Sequence, residues 1–368
     1  MEKTLPLYRD PYMEFLEHEG LPITEDYGID LFSVQTRFWP RVGVNASACH
    51  LKARGDFTNM FLFDIPPGKV TEPQKHIYEE VIYVLEGNGS TQIELASGKT
   101  HTFEWGERSM FAIPLNAKYR HFNGSGRDRA LIVSTTNLPL ILNVFHDEKF
   151  VFDLDFDFRR EGKDEHFSGR GDLVSVRPGS HRWETNFVPD LDRIELKAWE
   201  ERGAGSLNIM FVLADSSMHA HLSEMPVGTY KKAHRHGPGF HVMCVRGTGF
   251  SLLWWEGEQD YRRIDWKHGT VFPPDDRQFH QHFNTSSIPA RYLATGVGGV
   301  RYPLLQWQRI ASGQGTASSE QGSVAKSVGE GGDQIEYSEQ DPRIHAMWLD
   351  EMRINGAPNK MQKYFAES

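Results

Sequence analysis

The sequence predicts an all-β protein made of two related antiparallel β-barrels, with short helical extensions at the N- and C-termini. From about residue 56 onwards, short β-type runs alternate with turns rich in glycine, proline and asparagine. This pattern is typical of antiparallel sandwiches and barrels. The same series of runs recurs about 160 residues later, and a repeat of that length indicates a duplicated domain. A chain of 368 residues has room for two or three domains.

Short equivalent segments make the duplication visible. The turn that begins at Gly87 is matched by the turn that begins at Gly247, and each ends its β-type run with a Gly-x-Gly sequence. The triplet His-Phe-Asn occurs at His121 and again at His282. The glycine sequences are hairpin turn signals. They do not precede a helix with a Lys-Ser/Thr pair, which argues against nucleotide binding.

The repeat divides the chain into six predicted segments. They are an N-terminal arm (1–55), a first barrel (56–150), a linker (151–204), a second barrel (205–310), a flexible loop (311–340) and a C-terminal helix (341–368). In the arm, Asp10 followed by proline predicts a short capped helix. The flexible loop is predicted because residues 311–335 are rich in glycine and serine and poor in apolar residues.

Composition excludes several classes of protein. The net charge is −10, from 40 Lys+Arg and 50 Asp+Glu, so a broad basic surface for nucleic acid is not expected. Two cysteines, Cys49 and Cys244, are too few for a disulfide framework, and they fit a reducing, cytoplasmic location. No stretch approaches the roughly 20 apolar residues that span a bilayer, so no membrane partner is expected.

Closely spaced histidines in the second barrel predict a metal site. His234 and His236 are two residues apart, as are His280 and His282. Side chains alternate along a strand, so each pair shares one face. If the two strands pair inside a barrel, three or four imidazoles converge on one point. Neutral imidazole is a good ligand for Fe, Mn, Zn or Ni.

The order of these residues resembles the cupin superfamily, whose two motifs match most of 228–247 and 269–284. The matching residues are Gly228, His234, His236, Gly247, Gly269, Pro274, His280 and Asn284. The proline of the second motif, Pro274, lies one residue earlier than in the family pattern. A degenerate copy covers about 56–137, so the resemblance implies a bicupin with two double-stranded β-helix (jelly-roll) barrels. It also implies one divalent metal per chain, Fe(II) first and Mn, Zn or Ni as alternatives, on His234, His236 and His280.

The second barrel departs from the cupin pattern at one position. The family glutamate, counted back from Gly247, falls on Phe240. Its loss leaves a three-histidine site that resembles those of gentisate-type dioxygenases. His241 is next to Phe240, and strict alternation points it away from the metal, whereas a β-bulge would turn it inward as a fourth ligand. His282 is the other candidate, either as a ligand or as a group that hydrogen-bonds to one.

The first barrel keeps only part of the pattern. Gln74 and His76 occupy the first two ligand positions, Glu80 keeps the glutamate position, and alignment of the His-Phe-Asn triplets places Tyr119 opposite His280 and His121 opposite His282. Two of four usual ligands are therefore replaced, and we expect no working metal site there. His76, Glu80 and His121 are interpreted as a vestigial site that forms a hydrogen-bonded core cluster.

Cations and an aromatic residue near the histidines are candidates for substrate binding. Lys231, Lys232 and Arg235 lie beside the first pair, either as a solvated edge or with one cation neutralising a substrate carboxylate. Lys232 and Arg235 are the candidates carried forward. Trp254 and Trp255 are consecutive, so one faces inward on a regular strand. Trp254 is the candidate for contact with the substrate.

The leading functional hypothesis is a metal-dependent dioxygenase, with Fe(II), acting on a small acid that can be aromatic. Three neutral ligands leave the metal its full charge, which favours an anionic chelating substrate. Oxygen-independent decarboxylases, isomerases and lyases are open alternatives, as are hydrolases that use a metal-bound water. A non-catalytic metal- or ligand-binding bicupin is a further alternative. The expected partners are a small-molecule substrate and further copies of the same chain in a homo-oligomer.

Overall fold

The computed structural model describes residues 8–52, 57–177, 180–237, 239–302, 304 and 326–366. The fold is all-β, with two barrels and a few short helices, as the sequence predicts. The helices are α1 (Pro11–Glu19), α2 (Leu138–Phe145), α3 (Glu148–Phe152), α4 (Pro342–Ile354) and α5 (Gln362–Ala366). None of the helices within these residues is long and apolar enough to cross a membrane.

Short strands form both barrels. Strands β1 to β14 are β1 (Ile23–Asp26), β2 (Ile29–Asp30), β3 (Arg37–Trp39), β4 (Val44–Leu51), β5 (Asn59–Ile65), β6 (Glu80–Glu86), β7 (Gly89–Glu94), β8 (Thr100–Trp105), β9 (Met110–Ala112), β10 (Lys118–Asn123), β11 (Ala130–Thr136), β12 (Asp172–Arg177), β13 (Ser180–Thr185) and β14 (Phe187–Val188). Strands β15 to β25 are β15 (Lys197–Ala198), β16 (Leu207–Leu213), β17 (Met218–Met225), β18 (Ala233–His234), β19 (His241–Arg246), β20 (Thr248–Trp254), β21 (Arg262–Lys267), β22 (Thr270–Phe272), β23 (Phe279–Asn284), β24 (Ala290–Val297) and β25 (Gln334–Ile335).

Each barrel pairs a large sheet with a small one. In the first barrel the large sheet has the order β1-β4-β5-β11-β6-β9-β14, with β3 beside β4, and the small sheet has the order β10-β7-β8. In the second barrel the large sheet has the order β12-β13-β16-β17-β24-β19-β22-β2, with β15 beside β16, and the small sheet has the order β21-β20-β23-β18-β25.

Segments predicted to lie outside the barrels contribute strands to them. In the predicted arm, β4 pairs with β5 of the first barrel and β2 pairs with β22 of the second. In the predicted linker, β14 pairs with β9 of the first barrel. These additions satisfy backbone groups that would otherwise be exposed at the edges of the sheets. The N-terminal arm therefore supplies strands to both barrels, and the linker supplies one to the first barrel.

Alternation along the strands builds separate cores. In β6, Ile82 and Val84 face the interior of the first barrel, whereas Val81, Tyr83 and Leu85 belong to a second cluster. That second cluster also contains residues of β16, β17, β19 and β24. The large sheets of the two barrels consequently pack face to face across a continuous apolar interface.

The C-terminal helix packs on its own barrel. Helix α4 begins after Asp341, whose side chain accepts a hydrogen bond from the Arg343 N–H. It buries Ile344, Trp348 and Met352, which are four residues apart and so share one face of the helix. These residues join a cluster with side chains of β20 and β23. Helix α4 therefore covers the outer face of the small sheet of the second barrel.

Part of the predicted flexible loop is structured. Residues 311–325 lie outside the described residues, but β25 pairs with β18 through Gln334 and His234. Asp333 is buried next to it. The sequence pattern missed this segment because two strand residues and a few polar contacts leave no apolar periodicity.

Candidate metal centre

Two adjacent strands bring three histidines together. His234 lies in β18 directly opposite His280 in β23, and His236 follows two residues later. The ring centroid of His280 is 4.3 Å from that of His234 and 4.9 Å from that of His236. One nitrogen from each of the three rings can be chosen so that all lie within 4.8 Å of one another. The imidazole groups predicted to be ligands thus meet at one point.

Backbone carbonyls fix the tautomers of two of these histidines. Nδ1 of His234 lies 3.1 Å from the carbonyl oxygen of Lys232, and Nδ1 of His280 lies 3.0 Å from that of Gln278. A carbonyl oxygen can only accept, so each Nδ1 carries the proton. The lone pair is then on Nε2, which is the usual arrangement of a metal-binding histidine.

Burial keeps the same imidazoles neutral. It lowers the pKa of His280 to about 4. Burial, the charge of Arg202 and the neighbouring histidines hold the pKa of His234 well below its usual value. Neutral nitrogen donors are what a divalent transition metal requires. The donor chemistry, the tautomers and the spacing therefore fit a divalent metal held by His234, His236 and His280.

Phe240 and His241 face opposite ways. The ring of Phe240 lines the cavity beside the three histidines. His241 pairs in register with Thr295, whose hydroxyl lies 2.9 Å from that of Thr135 in the first barrel. The register irregularity of β19 falls between Cys244 and Arg246, too far along the strand to turn His241 inward. His241 does not join the cluster.

His282 is buried and is tied by a hydrogen bond to the neighbouring strand of the small sheet. Its Nδ1 is 2.8 Å from the hydroxyl of Ser251, and that hydroxyl also accepts a hydrogen bond of 3.0 Å from Nε1 of Trp266. The Trp266 ring lies over Gly249, where a Cβ would come within 2.5 Å of it. His282 lines the cavity, with its Nδ1 already committed to this hydrogen bond.

The first barrel repeats this arrangement around His121. Thr91 Oγ1 lies 2.8 Å from Nδ1 of His121 and accepts a hydrogen bond of 2.9 Å from Trp105 Nε1. A Cβ at Gly89 would likewise come within 2.5 Å of the Trp105 ring. Since both barrels hold the same triad, its common role is to anchor a core histidine.

The rest of the first-barrel site is filled by protein groups. His76 Nε2 is 3.2 Å from a carboxylate oxygen of Glu80 and 3.0 Å from the hydroxyl of Tyr119. Ser134 donates to the other oxygen of Glu80 at 2.5 Å. Gln74, at the position of His234, donates its amide to the carbonyl of Arg41 at 2.9 Å. The side chains at the ligand positions of the first barrel therefore form hydrogen bonds with other protein groups instead of pointing at a shared metal position.

The three histidines open onto a small cavity of about 40 Å³. Its lining residues are Trp199, Arg202, His221, Lys231, His234, His236, Phe240, Val242, Pro274, His280, His282, Tyr292 and Ala294. A cavity of this size can hold an ion with a few waters, or a ligand of a few heavy atoms. No aspartate or glutamate is among the lining residues in the described part of the chain.

Two buried cations give this cavity a positive lining. Lys231 is fully buried and its Nζ donates to the hydroxyl of Tyr292 at 2.9 Å. Arg202, also buried, comes from the segment before β16. Burial and the charge of Arg202 hold the pKa of Lys231 well below its usual value. A bound anion would stabilise the protonated form of Lys231 and offset this penalty.

The three substrate-binding candidates from the sequence do not line this cavity. Lys232 Nζ pairs with Glu336. Arg235 pairs with Asp333 and Glu256. Trp254 is buried against Phe279, on the side of the small sheet that α4 covers.

A break in the strand explains why Lys231, rather than Lys232, faces the cavity. Counting back by two from His234 selects Lys232, but β18 contains only Ala233 and His234. Before β18, an isolated bridge joins Tyr230 to Phe283. The side chains therefore do not alternate regularly between Tyr230 and β18, and counting by two does not identify the lysine that faces the cavity.

Several cavity residues carried a weak sequence signal or none. His221 belongs to a second His-x-His pair with His219, and both face the same side of β17 because they are two apart. That spacing was a usable signal. Tyr292 lies at the position where the barrel pattern closes and had no distinctive pattern. Arg202 and Trp199 come from the predicted linker, and nothing local indicates that this segment folds back over the barrel.

Comparisons with known proteins give structural likenesses only. No protein-family model and no curated protein matches the sequence. One similar solved structure is oxalate decarboxylase from Lactobacillus farciminis in its formate complex, with 13% identity, a TM-score of 0.49, and coverage of 73% of this chain and 85% of that chain. Another is vicilin from hazelnut (Corylus avellana), with 11% identity, a TM-score of 0.47, and coverage of 74% and 85%. A third is oxalate decarboxylase from Bacillus subtilis, with 12% identity, a TM-score of 0.47, and coverage of 80% and 84%. Likeness at this level carries no information on activity.

Proposed function

We propose that this chain is a metal-dependent bicupin enzyme that decarboxylates a small carboxylic acid, or cleaves it in a related lyase reaction, without using O2. One observation carries the proposal: three imidazoles suited to a metal share a small cavity with buried Lys231 and Arg202. A cavity that combines these groups without a lining carboxylate selects an anion. A carboxylate that can also contact the metal is the ligand that fits this chemistry.

The size of the cavity favours a substrate of a few heavy atoms. A benzene ring occupies an engineered cavity of about 150 Å³, whereas this cavity measures about 40 Å³. The space beside the histidines therefore matches a substrate of a few heavy atoms better than an aromatic acid together with O2. The oxygen-independent alternative is therefore preferred to the ring-cleaving dioxygenase that the sequence first suggested.

The chain's own residues supply binding and orientation. Lys231 and Arg202 hold the carboxylate, and the Tyr292 hydroxyl keeps the Lys231 ammonium in place. Phe240, Val242 and Ala294 form apolar walls that limit the substrate to a narrow shape. When bound, a divalent metal supplies Lewis-acid stabilisation of negative charge that develops on a substrate oxygen. Fe(II), Mn(II), Zn(II) and Ni(II) all suit three imidazoles.

The first experiment combines metal analysis with an anaerobic assay. Protein purified without chelator is analysed for metals and then incubated, without O2, with two- to four-carbon mono- and dicarboxylic acids while CO2 release is followed. We expect about one divalent metal per chain and CO2 release from at least one acid. His280→Gln should lose both, whereas His146→Gln, which removes an exposed imidazole, should lose neither. A metal-loaded protein that releases no CO2 from any acid would overturn the proposal.

A matched pair of lysine variants tests the anion site. Lys231→Met removes a cation from the cavity, and Lys232→Met removes its neighbour, which pairs with Glu336 outside it. Because a hydrogen bond to a charged group contributes about 1.5–3 kcal/mol, we expect Lys231→Met to weaken acetate or oxalate binding at least about ten-fold. Lys232→Met should bind both anions like the wild type. Binding is followed by the visible spectrum of the Co(II)-loaded protein, and equal affinities in the two variants would contradict the assignment.

An Fe(II)-dependent dioxygenase acting on a small acid is the second candidate. It is favoured by the three protein nitrogens, which leave other positions on a metal for a chelating substrate and for O2. Oxygen uptake by the Fe(II)-loaded protein in the presence of an acid separates it from the first candidate. The homo-oligomeric state and the cytoplasmic location remain predictions.

A further inference from the structure

A second histidine pair adjoins the metal centre on a different strand. His219 and His221 lie on the same face of β17, and Nε2 of His219 is 2.7 Å from Nδ1 of His221. His221 lines the cavity, whereas His219 is buried behind it. At that distance the two rings share one hydrogen bond, with one nitrogen donating and the other accepting.

The barrel holds this pair in place through Phe240. The rings of His219 and Phe240 are stacked, with centroids 4.4 Å apart. Phe240 in turn lies over Gly296, the cross-strand neighbour of His219, where a Cβ would come within 2.5 Å of the Phe240 ring. The aromatic residue and the glycine together fix the orientation of His219. Because His219 is held in this orientation, Nδ1 of His221 is the nitrogen that forms the hydrogen bond between the two rings.

Decarboxylation needs a proton in this cavity. When the bond to the carboxylate carbon breaks and CO2 leaves, the electron pair stays on the remaining carbon and must form a C–H bond. The described lining residues include no carboxylic acid. His221 is partly exposed, unlike His219, so it can recover a proton from water after each turnover.

We propose that His221 is the proton donor of the reaction and that His219 is its positioning residue. This inference rests on the proposed function. His221 Nδ1 faces His219, so Nε2 on the other side of the ring gives its proton to the carbon that loses CO2. Neutral His221 then takes a proton from water, which balances the step as RCOO⁻ + H⁺ giving RH + CO2.

The charged and titratable groups around His221 belong to several elements. They are His219 on the same strand, Tyr292 on β24, His282 on β23, and Arg202, Lys231, His234, His236 and His280 around the shared cavity. Most of these neighbours are cations or neutral bases. A substrate carboxylate brings negative charge beside His221, and a nearby negative charge stabilises the protonated form of an imidazole.

Kinetics on the metal-loaded enzyme test the donor. We expect His221→Gln to lower kcat at least about 100-fold, the usual size of a general-acid contribution, with KM and metal content close to wild type. Added imidazole should restore part of the activity. His219→Gln should lower kcat less and keep the same KM. His181→Gln, on β13 of the same sheet, is the control and should keep the wild-type kcat.

NMR gives a readout that does not depend on turnover. In Zn(II)-loaded protein with 15N-labelled histidine, the coupling across the His219–His221 hydrogen bond should be present in the wild type and absent from both variants. Acetate should shift the His221 nitrogens towards imidazolium values. If acetate binds without this shift, or if His221→Gln keeps the wild-type kcat or loses the metal, the donor role is overturned. If the wild type releases no CO2 but the acetate shift occurs, the proposed function has failed and the response of the pair to an anion stands.

Discussion

Ser251 connects a buried tryptophan to a buried histidine next to the candidate metal centre. Its hydroxyl accepts the Trp266 Nε1–H and lies 2.8 Å from Nδ1 of His282. Ser251 is itself fully buried, so water cannot readily replace the hydroxyl. This one atom therefore satisfies two polar groups in the core and holds the His282 ring against the cavity.

Replacing Ser251 tests whether His282 is an anchor or a ligand. Ser251→Ala leaves two buried polar groups without this partner, so we expect a loss of about 1–3 kcal/mol in unfolding free energy and an unchanged metal content. Ser251→Thr keeps the hydroxyl, as Thr91 does in the first barrel, and should be close to wild type. Denaturant titration and metal analysis measure the two quantities. Loss of metal from Ser251→Ala would indicate that His282 is a ligand.

His121 makes the stability of the first barrel depend on pH. Burial lowers its pKa from 6.5 to about 4, so between these values the unfolded chain binds the proton and the folded chain does not. The contribution of His121 to the unfolding free energy is therefore fully present above pH 6.5. It is lost as the pH falls towards 4, by up to about 3 kcal/mol.

Replacing His121 alone isolates this contribution. We expect the stability difference between wild type and His121→Gln, both treated with chelator, to shrink as pH falls from 7 to 4. Unfolding free energies from denaturant titration at several pH values measure it. His146→Gln, which removes an exposed histidine, should show no such trend. A wild-type-minus-His121→Gln difference that is independent of pH would contradict the interpretation.

The sequence predicted residues whose position depends on local rules and missed those placed by the tertiary fold. His234, His236 and His280 followed from strand alternation and motif spacing, which act over a few residues. Lys231 was passed over in favour of Lys232 because the backbone leaves the sheet just before β18. Arg202 reaches the cavity only because a segment about 30 residues upstream of the clustered histidines folds back, which no local pattern encodes.

At the level of elements, β25 braces the strand that carries His234. It pairs with β18, and the Asp333 carboxylate just before it accepts hydrogen bonds from Arg235 at 3.0 Å and Arg277 at 2.8 Å. The backbone N–H of Arg235 also donates to the carbonyl of Asp333 at 3.0 Å. The sequence did not predict the pairing of β25 with β18. The composition of this segment favoured a loop, and the pairing depends on a contact between residues far apart in the sequence.

Breaking the brace should loosen the metal site. Asp333→Ala removes a buried carboxylate shared by two arginines, so we expect faster amide exchange in residues 233–236 and 326–336. Metal affinity should fall about ten-fold, the lower end of the effect of groups that support ligands. Hydrogen-exchange mass spectrometry and competition with a chelator measure these changes. Glu256→Gln removes the exposed partner of Arg235 and should change neither, because exposed ion pairs contribute little. Unchanged exchange in Asp333→Ala would show that β25 does not support β18.

Over the whole molecule, the two barrels are held together by apolar packing and by a buried carboxylate. The interface cluster contains residues from both large sheets. Glu79 of the first barrel accepts the backbone N–H of Ser217 in the second at 3.1 Å and the Arg160 guanidinium at 2.7 Å. Duplication was predictable from the repeat, but the face that the barrels share was not, because both faces of these strands are apolar.

A shared core of this kind should make the two barrels unfold together. Phe211 is fully buried in the interface cluster, so Phe211→Ala should lower the unfolding free energy by about 3–5 kcal/mol. In scanning calorimetry we expect its single transition to move to a lower temperature without splitting. Phe156→Ala, at an exposed position, should shift it very little. Two separate transitions in the wild type, with only one of them moved by Phe211→Ala, would mean that the barrels are independent folding units and that their interface contributes little to the stability of the metal centre.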